Sequence, residues 1–539
     1  MTEVSPTTPF VNCNAAHRVS PDVMLREGWY PFETDENQTS PASNYRKERP
    51  DVNHRQTVQE RIIRENKLYL AHYMANRFAD DFPEFTAKTG FAMWQKAAAV
   101  SAVGGFAAML VLFPSVLMLL LALLFFMTAA VNFTVSAVSL LPEKWFVGGE
   151  GEDQAKFSNQ PDWPLPVYTV LVPVYMESEV MPELIKAMKR LDYPSEKLEI
   201  MFLVEEHDQE TREAALSAGL SPNMRIVDLP PGNPQTKPRS CNLGLLLARG
   251  DLIVIFDAED RPDPDQLIKA AKAFAGAKDN RLACVQAKLF FYNAKQNMLT
   301  HQFALEYALR YGMILPGLTR LGLPIPLGGT SNHFRTDILR RLGGWDAWNV
   351  TEDADLGMRC QALGYRVNMI ESITWEEATS QPGAWIKQRT RWLKGFLITV
   401  LVHTRHPVQT LQRFRPAGMV TLIGIVLGAP LSFLGQPIAL MLLLCDLAGF
   451  RWSNLGNGWH RGVASILLLI GTLMTMAVTL FAAFRRRISY SHLACLLPGY
   501  WALYWVAAWR ALFQLVHSPF VWEKTPHGQT THVTPPKTA

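Results

Sequence analysis

Charge disappears from this chain in two long blocks. Between Ala97 and Pro142 there is no Asp, Glu, Lys or Arg, and none between Pro416 and Cys445, whereas the segment between the blocks is charged throughout. About 20 apolar residues already cross the hydrocarbon layer of a bilayer, so both blocks exceed what a buried core helix needs and predict an integral membrane protein. As one helix the first block would run to roughly 69 Å at ~1.5 Å per residue, so Phe113-Pro114 is the expected turn between spans over 97–112 and 115–139. In the second block Gly435-Gln436-Pro437 is a candidate break that would divide 416–450 into two short spans. Val463 to Phe484 and Leu493 to Val516 supply two more, for a total of six. Two spans in 416–450 would leave Arg485-Arg486-Arg487 outside, against the positive-inside tendency; one would leave the C-terminal tail outside instead.

Between the blocks the periodicity changes. Val167–Val172, Leu198–Val204 and Leu252–Phe256 are short β-branched or apolar runs that read as buried parallel strands, with helices over Val180–Leu191 and Glu210–Ala218. This order implies an α/β domain built on a mostly parallel sheet, with ligands expected at the strands' carboxyl ends. The stretch from Leu393 to Val402 is amphipathic enough to lie in the membrane interface. Upstream, residues 1 to about 55 read as an irregular polar arm. Val58 to Phe78 reads as an amphipathic helix, with Ile62, Ile63, Leu70, Tyr73 and Met74 on one face, lying either on the α/β domain or on the membrane. The expected organisation is an arm and helix over 1–95, a transmembrane hairpin over 96–141, the α/β domain over 142–400, further spans over 401–518 and a tail over 519–539.

Composition sharpens the picture. A 539-residue chain that is 48% hydrophobic and 11% aromatic suits several spans, and a net charge of +4 with no aromatic-interleaved basic stripe gives no reason to expect nucleic acid. Arg61, Arg64, Lys67, Arg77, Lys88 and Lys96 precede the first span, which orients the N-terminus to the cytoplasm. The six cysteines are scattered without a C-x-x-C, which argues against a zinc site or a disulfide framework. No secretory signal is expected in the polar first ninety residues.

The candidate chemistry sits where apolar runs stop. Asp257-Ala258-Glu259-Asp260 ends a strand and could hold Mg2+ or Mn2+ on a diphosphate, or cap the helix that follows. Lys237-Pro238-Arg239 opens a helix, where cations and free N–H groups favour phosphate. Glu205-Glu206-His207-Asp208 ends the second strand and could bond a base or ribose, or form a surface turn. Thr351-Glu352-Asp353 offers a general base for deprotonating a hydroxyl, or a helix cap. Gln388, Arg391 and Trp392 could frame an acceptor, an indole face covering a sugar and Arg meeting a departing diphosphate; an Arg-Trp pair is also an ordinary interfacial anchor.

Together these segments resemble family 2 glycosyltransferases, particularly processive membrane synthases such as cellulose and hyaluronan synthases, over roughly residues 165–395. Val172-Pro173-Val174-Tyr175-Met176-Glu177 is similar to the family's nucleotide-binding first strand. Asp257-Ala258-Glu259 stands in the place of its D-x-D, Thr351-Glu352-Asp353 matches T-E-D, and Gln388 to Trp392 matches Q-x-x-R-W. The resemblance implies a cytoplasmic GT-A-like domain inserted between membrane helices of a multi-pass plasma (inner) membrane protein. Tyr175, Glu177, Glu205, Asp208, Lys237, Arg239 and Asp257 would then meet the nucleotide-sugar donor. Asp257 with Glu259 or Asp260 would hold the metal, Glu352 and Asp353 would be catalytic with Asp353 the base, and Gln388, Arg391 and Trp392 would hold the acceptor. A Glu at the second acid of the D-x-D, with Asp260 beside it, leaves open which side chain reaches the metal. Trp522-Glu523-Lys524-Thr525 is similar to the gating segment of such synthases. The implied activity is inverting polymerisation of a UDP-sugar with export of the polysaccharide, accessory export proteins being possible partners. Single glycosylation of a lipid carrier, or an inactive membrane scaffold, are the other readings.

Overall fold

The computed structural model describes residues 20–27, 30–31, 45–46, 52–142, 164–277, 279–450 and 458–523. Most of the N-terminal arm and of the tail, including Lys524 and Thr525, lies outside them. The α/β domain is built on one eight-stranded sheet whose strands, numbered along the chain, are β1 (Tyr168–Val174), β2 (Leu198–Glu205), β3 (Met224–Leu229), β4 (Leu252–Ile255), β5 (Arg261–Pro262), β6 (Leu282–Phe291), β7 (Asn332–Arg335) and β8 (Arg366–Glu376). Their order in space is β3-β2-β1-β4-β7-β6-β8-β5. The β3-β2-β1-β4 half is parallel, as is the β6–β8 pair. Strand β7 enters antiparallel between β4 and β6, and β5 pairs antiparallel with β8, so the sheet is mixed.

Alternation along β1 divides the core. Tyr168, Val170 and Val172 face the helix Met181–Met188, while Leu171 faces the other layer with Leu243, Leu245 and Leu246 of the helix Lys237–Leu247. Each such buried aliphatic side chain contributes about 2 kcal/mol of transfer free energy. The expected strands and helices recur within a few residues of their predicted ends.

Upstream, the predicted amphipathic helix is two, Val52–Glu65 and Lys67–Asp81, broken at Asn66. Leu70, Met74 and Phe78 are buried against the domain, where Trp348 Nε1 and Asn242 Nδ2 donate to the carbonyls of Ala75 (2.9 Å) and Met74 (3.1 Å). The second helix is therefore a layer of the domain.

Four helices among the described residues are long and apolar enough to cross a membrane: Met93–Leu112, Pro114–Val138, Pro407–Leu447 and Trp459–Arg485. The first two part at Phe113, where the break was expected. The count of six is corrected to four: Pro437 lies inside the unbroken helix Gly428–Leu447 and does not divide 416–450, and the helix Leu497–His517, where Leu493 to Val516 was expected to span, is not among the four. The missing N–H of Pro437 is tolerated among apolar helices, and a π-helical stretch over Val420–Leu427 precedes its helix. The last helix, Leu497–His517, has both ends tied to the domain's side of the bundle. Just before its start, the Leu493 carbonyl accepts from Gln302 (2.7 Å); past its end, Lys394 Nζ donates to the carbonyls of Ser518 (3.2 Å) and Val521 (2.9 Å). Arg486 lies on the same side, its guanidinium 3.5 Å from the Phe290 ring centroid. Thus Arg486 and residues 518–523 both sit beside the α/β domain. The expected interfacial stretch belongs to the helix Pro382–His403, which Leu497–His517 covers on one side.

Candidate active site

One cavity of about 420 Å3 runs from the carboxyl ends of β1, β2 and β4 to the space between the apolar helices. Tyr175, Glu177, Glu205, Lys237, Asp257, Glu259, Glu352, Asp353, Gln388, Arg391 and Trp392 all line it. Each arrives where a regular element stops. Tyr175 and Glu177 follow β1, Glu205 closes β2, and Asp257 and Glu259 follow β4. Lys237 opens the helix Lys237–Leu247, whose N-terminal residues Thr236, Lys237 and Ser240 face the cavity, so that helix presents its positive end there. Glu352 and Asp353 stand in the first turn of the helix Glu352–Ala362, and Asp353 Oδ1 accepts the Ala354 N–H at 2.7 Å. Thr351 does not cap this helix; its side chain packs where a Cβ on Gly395 would come within 2.3 Å, so a residue without a Cβ lets the helix Pro382–His403 lie against the Thr351 turn.

Three predicted residues point elsewhere. Asp208 caps the helix Gln209–Ser217, accepting from Thr211 N–H (3.2 Å) and from Met176 N–H. Arg239 is buried beneath the site, donating to Glu205 (2.9 Å) and to the Pro230 carbonyl. Asp260 turns back to accept the Asp257 N–H (2.7 Å) and the Thr330 hydroxyl. These side chains hold the loops that carry Tyr175, Glu205 and Asp257, and none lines the cavity.

The sequence reading missed residues that converge from distant segments. A Cβ placed on Gly329 would lie 3.5 Å from Asp353 Oδ2 and 3.9 Å from Asp257 Oδ2, so this glycine marks the gap between the two carboxylates. Lys237 Nζ bridges Asp257 and the Gly329 carbonyl (2.6 Å). Glu376, at the end of β8, adds an acid from a fourth strand to the lining. Past Trp392 the wall is aromatic, with Phe303, Tyr307, Tyr500 and Tyr504, and continues to Asn132, Phe433, Thr475 and Thr479 of the apolar helices. Trp522 lies over the Arg391 guanidinium (4.7 Å). The signals in the sequence were an isolated Gly-Gly pair and aromatic residues at helical spacing, which are ordinary features of a core.

Crowded carboxylates set the electrostatics. Burial pushes Glu352 up to about 8, the charge on Asp353 adding to it. Burial likewise raises Asp353, against the pull of Lys237, Arg310 and Arg391. Glu259 and Glu376 are held well above the usual carboxylate range by burial and then by neighbouring acids. The acids outnumber the cations that face them, and Asp260 Oδ1 is buried with no hydrogen-bond partner. This donor set, hard oxygens with uncompensated negative charge, fits a divalent cation. Among the described residues no three His, Cys, Asp or Glu side chains converge as a ready-made site, so oxygens of a bound ligand would have to complete the shell.

The sequence profile described as glycosyl transferase family group 2 matches residues 252–522. Curated relatives include the probable glycosyltransferase YdaM of Bacillus subtilis, 28% identical over 251 residues, which are 45% of this chain and 59% of that protein. The probable glucomannan 4-beta-mannosyltransferase 1 of Arabidopsis thaliana is 27% identical over 241 residues, 43% of each chain. A beta-monoglucosyldiacylglycerol synthase of Nostoc sp. is 26% identical over 234 residues, 43% of this chain and 49% of that protein. The chain thus spans about half the length of the curated relatives it matches.

Proposed function

This chain belongs to glycosyl transferase family group 2, and from that premise we propose that it is an inverting hexosyltransferase. It takes a sugar from a nucleotide-sugar donor, UDP-glucose or a related UDP-sugar, and adds it to a growing polysaccharide that leaves between its own membrane helices. What supports this reading above all is the single cavity, which joins Asp257 and Asp353 to Trp392 and then to the apolar helices. A polymer end resting at Trp392 would have its exit path in front of it.

The roles follow from position. Tyr175, Glu177 and Glu205 line the nucleotide end. Lys237 and the N-terminus of its helix neutralise the diphosphate on one side and Arg391 on the other. The Asp353 carboxylate accepts the proton of the acceptor hydroxyl as the anomeric bond breaks, and attack from the face opposite the leaving group inverts the configuration. The neighbouring Glu352, raised to about 8, stays neutral near pH 7 and spares Asp353 a second adjacent charge. Mg2+ or Mn2+, held by Asp257 with Glu259, would supply further charge neutralisation on the diphosphate. Gln388 and Trp392 hold the acceptor. In this reading the α/β domain faces the cytoplasm of the plasma (inner) membrane, where nucleotide sugars are available.

The test is incubation of the purified protein in lipid nanodiscs with radiolabelled UDP-glucose, and in parallel with GDP-mannose, followed by product sizing and linkage analysis. A long product that disappears in Asp353→Asn is expected. A single sugar on a lipid-soluble product would replace polymerisation by glycosylation of a lipid carrier, and no donor turnover with any nucleotide sugar would leave the scaffold reading.

A further inference from the structure

Trp392 is held in place by a residue that neither donor chemistry nor acceptor recognition requires. Arg389 is 1% exposed, and its guanidinium carbon lies 4.1 Å from the centroid of the Trp392 ring and 4.1 Å from that of Phe303. Arg389 Nη2 donates to Glu306 Oε2 at 3.0 Å. The same oxygen accepts from Tyr500 Oη (3.0 Å), which in turn accepts from Trp385 Nε1 (3.1 Å). The chain Trp385–Tyr500–Glu306–Arg389–Trp392 therefore ties the helix Pro382–His403 to the helices Met298–Leu309 and Leu497–His517.

A buried guanidinium is expensive unless it is paired, and here pairing uses one edge while the planar faces remain for aromatic contact. Arg389 and Trp392 are three residues apart on one helix face, so the stacking is local and its orientation is set by where Glu306 holds the guanidinium. An indole has two faces. The cation takes one, with Phe303 on its other side (centroids of Phe303 and Trp392 6.2 Å apart, 66° between planes), which leaves the opposite face for a sugar in the cavity that Trp392 lines.

We propose that Arg389 is a positioning residue for the acceptor, fixing the plane of Trp392 so that a sugar stacked on it presents its hydroxyl to Asp353, with Glu306 as the anchor. This rests on the transferase reading above. It gives the helix Leu497–His517, whose Tyr500 and Tyr504 already line the wall past Trp392, a second part in the acceptor site, since Tyr500 also bonds the anchor Glu306.

The experiment uses the full-length protein in nanodiscs labelled with 5-fluorotryptophan, the Trp392 resonance being assigned by Trp392→Phe. Arg389→Lys keeps a positive partner for Glu306 and loses the planar stack; Arg389→Met loses both; Glu306→Gln weakens the anchor. All three are expected to shift or broaden the Trp392 resonance without any substrate. With short gluco- and manno-oligosaccharide primers as the acceptor probes, the acceptor KM should rise on the order of 10- to 30-fold, up to the size of one desolvated cation–π contact, while the donor KM moves less than about twofold. An unmoved Trp392 resonance, wild-type kinetics in Arg389→Lys, or equal increases in both KM values would overturn the proposal. The fluorine readout needs no turnover, so failure of the transferase reading would appear separately, as no consumption of donor by the wild-type protein.

Discussion

The two ends of the cavity carry charge in opposite ways. At the donor end acids gather at strand ends and at the start of the helix Glu352–Ala362, and burial above all raises Glu259, Glu352, Asp353 and Glu376. Past Trp392 charge is scarce, and where it occurs it is already neutralised: Arg389 is paired with Glu306 and enclosed by Phe303, Trp385, Trp392 and Tyr504. The first arrangement leaves charge to be used by a ligand; the second spends its charge on shape. A donor carrying a diphosphate suits the one, and a neutral sugar chain suits the other, since stacking on rings needs no counter-charge and releases the chain easily.

The largest test of that contrast removes one charge at the donor end. Asp353→Asn keeps the size and the backbone contact to Ala354 but cannot take a proton, and it should cut transfer by about 10²–10⁴-fold. Donor binding should stay within a few-fold of wild type. A comparable loss of donor affinity would mean that Asp353 holds the donor and that the base lies elsewhere.

Next in size is the gap itself. In Gly329→Ala the new methyl would sit 3.5 Å and 3.9 Å from the Asp353 and Asp257 oxygens, ordinary contacts that the fold accommodates. Thermal stability should therefore hold. Turnover should fall on the order of 10²-fold, because reacting groups tolerate little displacement. Wild-type turnover in this variant would place the reacting atoms outside the gap.

A third test titrates the crowded acids. Glu352 is raised from about 4.5 to about 8, so its neutral form is favoured by the fold. Its stabilising contribution is complete below the unfolded value and is lost as pH climbs through the folded one. Glu352→Gln removes that dependence. From about pH 5 to about pH 9 the wild-type protein should lose stability relative to Glu352→Gln, by at most a few kcal/mol. Parallel melting curves across that range would show that Glu352 is ionised throughout, and the picture of uncompensated charge at the donor end would weaken.

The same contrast explains what could be read from residues alone. Asp257 and Glu205 were legible because a carboxylate ending a buried apolar strand has little structural use in the core. Direction was not legible: Asp208 and Asp260 occupy equivalent strand-end positions, and only the folded turns show that they bond Met176, Thr211 and Thr330. Gly329 was invisible because it precedes β7, the antiparallel strand that no periodicity announces. The aromatic end was not legible, because Phe303 and Tyr307 stand four residues apart on one helix and Tyr504 on another, and pattern does not say whether a ring faces a core or a cavity. Pro437 misled in the other direction, since a proline ends helices in water more reliably than among apolar helices.

The smallest effect separates loop support from ligand contact. Asp208 was expected at the nucleotide and instead accepts from Thr211 and Met176, the latter at φ +52 beside Tyr175. Asp208→Ala should cost about 1 kcal/mol of stability, the usual worth of an N-cap. The donor KM should rise only a few-fold as the Tyr175 loop loosens. Asp208→Asn keeps an acceptor for the Thr211 N–H but turns an NH2 toward the Met176 N–H, so it should recover the cap's share of the stability and not the loop's. Were the charge itself to contact the nucleotide, both variants would raise the donor KM far more than a few-fold. Measuring both quantities in both variants therefore decides whether the donor end reaches beyond Tyr175 and Glu205, or stops at the residues that line the cavity.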